Sequence, residues 1–264
     1  MTSSPGELGK LGKVYIVGAG PGDPELITVK GAKLLEMADF IVYAGSLVNA
    51  EILRLARPDC VTADSSGMTL EEQVSAMTEA LARGLVVVRL HTGDPSLYGA
   101  ISEQIAALER NNIECEIIPG VSSLQGAAAR LGVEYTVPGG SQTLICTRMT
   151  GRTPTPEAES IGSLASHGST IALFLSADRA QEVVSACIAA GRSPDTPAAW
   201  IYRATWPDEK MAISTLSGLA ASLREAGITK HALLIIGDCL GKDSSSRSML
   251  YDPNFSHGAR EAQI

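Results

Sequence analysis

Apolar residues follow two rhythms along the chain. The runs KVYIV (13–17), FIVY (40–43), LVVVRL (85–90) and ALLIIG (232–237) are short and nearly uninterrupted, whereas the stretches between them return an apolar residue every three or four positions. The first pattern predicts strands buried on both faces, as in a parallel sheet, and the second predicts helices with one buried stripe. KVYIV, KGAKLLEMAD (30–39) and FIVY therefore form a βαβ unit. TLEEQVSAMTEALARG opens on a capping box, Thr69 facing Glu72, sets Val74, Met77 and Leu81 on one face, and stops at Gly84. A helix near 99–110, a strand CEIIPG (115–120) and a helix VSSLQGAAARLG, whose small residues predict close packing, complete this half.

At VEYTVPGGS (133–141) a proline and two glycines predict a domain junction. Beyond it come strand TLICT, loop RMTGRTPTPEAES, strand TIALFLS, a helix capped by Asp178 with Gln181 at its third helical position, and strands AAWIYR and ALLIIG. The expected class is α/β. Two α/β lobes, 11–134 and 139–242, with a cleft between them are the expected architecture, and a polar tail at 243–264 is expected to be loosely held.

Composition narrows the chemistry. A chain of 264 residues, 45% hydrophobic, can bury a substantial core. MTSSPGELGK has no signal-peptide core, and no apolar run approaches the ~20 residues that cross a bilayer, so a soluble cytoplasmic protein without a membrane partner is expected. Five cysteines without a CxxC pair and four histidines without HExxH spacing signal neither a disulfide framework nor a metal site. A formal charge of -8 with 4% aromatics argues against nucleic acid. It leaves room for an anionic small molecule, because a local group of arginines can focus attraction.

VYIVGAGPGDPELIT (14–28) has the opening of a nucleotide fingerprint, yet Asp23 stands where GxGxxG needs its third glycine, and the second strand ends at Tyr43 without an acid for a ribose. Gly18, Gly20 and Gly22 also match the GxGxG loop of many class I methyltransferases, a short and common pattern. Pro21 and Pro24 lack amide donors, so the turn reads either as a rigid cleft wall or as a plain strand-to-helix turn. RLHTGDPSLYG (89–99) puts Thr92, Gly93 and Asp94 at the carboxyl end of a buried strand, where open α/β sheets bind ligands. Asp94 there is a ligand contact or a cap; His91 is a contact or a core residue. In IIPGVSSLQG, Ser122 and Ser123 cap a helix or meet a ligand, and neither belongs to a GxSxG elbow. Arg148, Arg152 and Arg203 end strands or lie in loops, suited either to surface ion pairs or to a polycarboxylate.

Together GAGPGDPELIT, YAGSLV, GMTLEEQ, RLHTGDPSLYG, PGVSSLQGAAARLG, SQTLICTRMTGRTPTPE, FLSADRA and TPAAWIYRATWPDEK closely resemble the tetrapyrrole methyltransferase superfamily over about residues 13–240. YAGSLV, HTGDPSLYG, TRMTGRTP and YRATWPDE are most similar to the members of cobalamin biosynthesis that methylate C11. The resemblance implies a homodimeric enzyme that takes a methyl group from S-adenosylmethionine, leaves S-adenosylhomocysteine, and converts precorrin-4 to precorrin-5. It implies cofactor contacts from Pro21, Thr92, Gly93, Asp94, Leu97, Ser122, Ser123, Leu175 and Ala204, and substrate candidates in His91, Arg148, Arg152 and Arg203. No catalytic residue and no metal ligand follow. Related uroporphyrinogen methyltransferases carry an acidic candidate base where this chain has Ala44, so that base is not carried over. A metal-free ring is the expected substrate, because no motif suggests recognition of a bound metal, with cobalt-precorrin-4 as the alternative. A small-molecule oxidoreductase and a non-catalytic tetrapyrrole-binding module are the competing classes.

Overall fold

A computed structural model describes residues 12–241 and 248–261 of the chain. The chain forms two compact units: one ends at Gly126 and takes in Thr205–Pro207, the other runs from Ala127 to Ala204 and resumes at Asp208. The boundary falls within a helix, while the two sheets divide on either side of residues 132–143.

In the first unit the elements are β1 (Lys13–Gly18), α1 (Val29–Met37), β2 (Phe40–Tyr43), β3 (Val61–Asp64), α2 (Leu70–Ala82), β4 (Val87–His91), α3 (Ile101–Glu109), β5 (Glu114–Ile118) and α4 (Ser123–Leu131). The five strands are parallel in the order β3-β2-β4-β1-β5. Alternate residues feed opposite faces. Val14, Ile16, Val42 and Val87 pack with Met77 and Leu108 of α2 and α3. Val17, Ile41, Val88 and Leu90 pack with Leu34 and Leu35 of α1. Both faces are covered, so the strands read as continuous apolar runs. The capping box of α2 is present: the Glu72 N–H donates to Thr69 Oγ1 at 3.2 Å and the Glu72 carboxylate accepts from the Thr69 N–H at 2.7 Å. Gly84, at φ +77°, ends that helix. The register sets Gly18 opposite His91, so β1 and β4 finish level with each other.

The second unit holds β6 (Leu144–Arg148), α5 (Ile161–Ala165), β7 (Thr170–Phe174), α6 (Ala180–Ala189), β8 (Pro197–Tyr202), β9 (Lys210–Thr215), α7 (Leu219–Glu225) and β10 (Ala232–Ile236). Its sheet is mixed, in the order β6-β7-β10-β8-β9, with only β6 and β7 paired in parallel. Ile171, Leu173, Val183, Cys187, Trp200, Leu219 and Leu234 form its core, and the Trp200 indole N–H is satisfied by Ser222 Oγ at 2.8 Å. The predicted cap at Asp178 is corrected here. A 3-10 turn, Ala177–Arg179, precedes α6, Asp178 lies inside it, and the helix starts at Ala180 without a side-chain cap. The buried Ser176 directs its hydroxyl to Phe174 O and accepts from Met149 N instead.

Residue 242 and, of the expected polar tail, residues 243–247 and 262–264 lie outside the described residues, as does the N-terminal stretch to residue 11; the described remainder of the tail includes a 3-10 turn, Met249–Tyr251. Among the described residues no helix is long and apolar enough to cross a membrane.

Candidate functional site

Three loops leave the carboxyl ends of β1, β4 and β5 and touch through bare backbone. Ala19 N donates to His91 O at 2.7 Å, and Gly20 and Gly93 exchange two backbone hydrogen bonds, Gly20 N to Gly93 O at 3.3 Å and Gly93 N to Gly20 O at 2.9 Å. A Cβ on Gly18 would fall 2.6 Å from Gly120 Cα, and one on Gly120 would fall 2.2 Å from Gly93 O. No side chain fits there, so the GAGPG and PGVSS turns are glycine-rich because three backbones meet.

Further polar atoms of the opening turn are engaged within the first unit. Gly22 O accepts from Asn49 Nδ2 and Pro21 O from the Trp206 indole, each at 2.9 Å. Asp23 N donates to Thr205 Oγ1 at 2.9 Å. A Cβ on Gly22 would sit 2.1 Å from the Trp206 ring, and Gly126 of α4 lets Pro21 approach to 3.0 Å from the place its own Cβ would take. The turn is a braced wall and offers no nest of free N–H groups for phosphate.

Asp94 joins the second loop to the third. One carboxylate oxygen accepts from the Ser96 hydroxyl and from Ser96 N at 2.8 Å, and the other accepts from Gly120 N at 2.9 Å. Burial works to raise its pKa, but the bonds from Ser96 and Gly120 outweigh that and hold the carboxyl below its ordinary value. Tyr98 and Ala100, at φ +56° and +50°, flank Gly99, whose added Cβ would lie 2.4 Å from Pro95 O, so this loop carries backbone strain. Ser122 caps the turn into α4, its hydroxyl accepting from Leu124 N at 3.2 Å. Between the second and third loops lies a cleft of about 420 Å³ lined by Asp94, Ser96, Leu97, Gly120, Val121, Ser122 and Gln125. Three of the expected cofactor residues, Asp94, Leu97 and Ser122, line it; Thr92 and Gly93 lie on the second loop, Ser123 opens α4, and Pro21 lies on the first loop. Gly120 and Gln125 escaped the sequence reading, although the PG preceding the two serines was a signal for the first.

His91 is buried, 5% exposed, with Nε2 3.4 Å from Gln104 Oε1. Burial, with the neighbouring Arg89 charge, pushes its pKa down to about 4 against the pull of Gln104, so the ring is neutral at pH 7. It is a core residue beneath the loops.

In the second unit, β6, β7 and β8 point the same way, so Arg148, Leu175, Arg203 and Ala204 share one edge of the sheet. The Arg148 guanidinium donates to the carbonyls of Met149, Thr153 and Pro154 at 3.1, 3.0 and 3.4 Å, shaping its own loop. Arg152, on that loop, is exposed. Arg203 pairs with Asp208 at 2.7 Å and lies over the Tyr202 ring. Leu175 is 69% exposed at φ +50°, and the buried Ala204 sits between Arg203 and Thr205, at φ +48° and +69°. Left-handed backbone at bulky residues clusters where strands end into functional loops.

The family model for tetrapyrrole (corrin/porphyrin) methylases matches residues 13–220. The cobalt-precorrin-4 C(11)-methyltransferase of Methanocaldococcus jannaschii is 50% identical over 95% of this chain and 96% of its own. The precorrin-4 C(11)-methyltransferase of Pseudomonas aeruginosa is 41% identical over 92% of this chain and 97% of its own. The solved cobalt precorrin-4 methyltransferase, a cobalamin biosynthetic enzyme, is similar with a TM-score of 0.84 at 48% identity, covering 86% of this chain and 95% of that one. The uroporphyrin-III C-methyltransferase of Thermus thermophilus, complexed with S-adenosylhomocysteine, is similar with a TM-score of 0.71 at 27% identity, covering 87% of this chain and 93% of that one.

Proposed function

The chain belongs to the tetrapyrrole (corrin/porphyrin) methylase family, and from that premise we propose that it transfers a methyl group from S-adenosylmethionine to C11 of precorrin-4 in its cobalt-containing form. The observation that carries this reading is likeness along almost the whole chain to relatives named for C11 methylation. Identity is 50% to a relative named for the cobalt-containing substrate and 41% to one named for precorrin-4, which favours the cobalt-containing ring, with the metal-free ring expected from the sequence as the alternative.

The cleft at the carboxyl ends of β4 and β5 fits the donor. Its size is that of a small-molecule site, its Leu97 and Val121 walls are apolar, and Ser122 and Gln125 add polar groups. When bound, S-adenosylmethionine supplies a methyl group already activated by its sulfonium. The protein's part is alignment: Asp94 fixes the two loops against each other, the glycine junction holds them against β1, and the strained Leu97–Ala100 segment keeps Leu97 on the wall. Pro21, Thr92, Gly93 and Ser123 complete the proposed donor set in the first unit, and Arg148, Arg152 and Arg203 are assigned to ring carboxylates. Homodimerisation and a cytoplasmic location belong to the same proposal, the first checked by sedimentation.

The test supplies the protein with 13C-methyl-labelled donor and both cobalt-containing and metal-free precorrin-4, then locates the new methyl by NMR. Label at C11 with faster turnover of the cobalt-containing ring is expected. Label at C1 or C17 overturns the regiochemistry, and faster turnover of the metal-free ring overturns the choice of substrate.

A further inference from the structure

Exposed loops of threonine, proline and glycine are ordinarily loosely held. The loop after β6, residues 149–156, is one by composition, and only its Met149 packs on the apolar core, yet side chains grip its backbone along most of its length. Buried Ser176 accepts from Met149 N at 2.8 Å. The Arg148 guanidinium takes the carbonyls of Met149, Thr153 and Pro154. Arg179, at the end of the turn after β7, adds a further hold, donating from Nη1 to the Thr150 carbonyl. Its Nε and Nη2 donate to the two carboxylate oxygens of Glu182 in the first turn of α6, Nε at 2.8 Å. A forked pair fixes the plane of a guanidinium, so Glu182 aims the remaining nitrogen at the loop. The Thr150 and Thr155 hydroxyls pair across the loop.

This bracing presents Arg152. It lies between Thr150 and Thr153, whose carbonyls Arg179 and Arg148 hold, and it is exposed. Among the described residues no hydrogen bond or ion pair holds its side chain. Of the other arginines assigned to ring carboxylates, Arg148 is occupied by its own loop and Arg203 is paired with Asp208. Residues 149–156 contain no acid. On the elements beside them, Glu182 is taken by Arg179, Asp178 pulls on the same guanidinium, and Glu157 and Glu159 stand on the 3-10 turn that follows the loop. A guanidinium on a backbone already held can grip a carboxylate with both nitrogens without first ordering a loop, which lowers the entropic cost of binding.

We propose that this loop is a receptor for one carboxylate of the tetrapyrrole: Arg152 makes the contact, while Arg148 and Arg179, the latter aimed by Glu182, are positioning residues that act through the loop backbone. The inference rests on the tetrapyrrole reading above and sorts its arginines by role.

The experiment compares Arg152→Met, Arg179→Met and the double variant. It measures affinity for uroporphyrin, a stable octacarboxylate, by fluorescence quenching, S-adenosylhomocysteine affinity by calorimetry, and unfolding in urea. Arg152→Met is expected to bind uroporphyrin about three- to tenfold more weakly, with S-adenosylhomocysteine affinity within about twofold and unfolding unchanged. Arg179→Met should weaken uroporphyrin about threefold in the wild-type background but less than about twofold once Arg152 is gone, because both act on one contact. Glu182→Gln, which loosens the fork, takes its place should Arg179→Met not fold. Unchanged uroporphyrin affinity in Arg152→Met overturns the proposal, as does an equal loss for both ligands. Losses that simply add in the double variant overturn the positioning role of Arg179. A wild-type protein that binds neither ligand overturns the functional reading, and this inference with it.

Discussion

Asp94 spends its carboxylate on the protein. With both oxygens committed to Ser96 and Gly120, its removal frees two loops at once. Asp94→Ala should therefore cost about 2–3 kcal/mol of stability in urea unfolding and also weaken S-adenosylhomocysteine binding. Asp94→Asn should recover only part of this, because its NH2 group meets the Gly120 N–H. Full stability in the alanine variant would return Asp94 to a direct ligand contact alone. Burial of a neutral His91 gives a pH dependence. Its folded pKa, about 4, lies below the ordinary 6.5, so the unfolded chain takes up the proton first. The contribution is complete above pH 6.5 and is lost as pH falls toward 4, up to about 3 kcal/mol. His91→Gln should lose less stability than wild type between pH 7 and 4.5, and parallel curves for the two proteins would refute this.

Between elements, the decisive contacts are backbone to backbone. Gly120→Ala drives a Cβ into the Gly93 carbonyl, which belongs to a paired loop and cannot yield as a flexible side chain would. A loss of at least about 2 kcal/mol, with S-adenosylhomocysteine binding abolished, is expected in chemical denaturation and calorimetry. Gly22→Ala should displace the Trp206 ring from Pro21 and alter indole fluorescence, since the added carbon would overlap that ring. Elements that sequence patterning missed fall into two kinds. β3 and β9 are edge strands with half or more of their residues exposed, including Val61 at 59%, so no continuous apolar run marks them. α5 and α7 are too short for periodicity to show.

For the whole molecule, ligand linkage is the broad check. S-adenosylhomocysteine at about 100 times its Kd should add about 2.7 kcal/mol of stability and raise Tm by several degrees, and NADPH should add nothing. Stabilisation by NADPH alone would favour the oxidoreductase class. Binding of both S-adenosylhomocysteine and uroporphyrin, without label transfer to any tetrapyrrole, would favour a binding module.

The sequence by itself determined the α/β class, the central strands, the capping box at Thr69 and Glu72, and the family, because local periodicity, cap chemistry and motif strings are properties of neighbouring residues. It also marked HTGDP and PGVSS as turns at strand ends. Only tertiary structure decided what those turns do. Whether Asp94 and Ser122 cap or line a wall depends on loops more than twenty residues apart coming within hydrogen-bond reach, and both residues do both. Asp178, a good cap by type, is passed over because buried Ser176 and the 3-10 turn set where α6 begins. Arg89 reads in LVVVRL as one polar break in a strand; its unpaired charge exists only because folding surrounds it with carbonyls and an amide, and burial is a property of the fold rather than of the string.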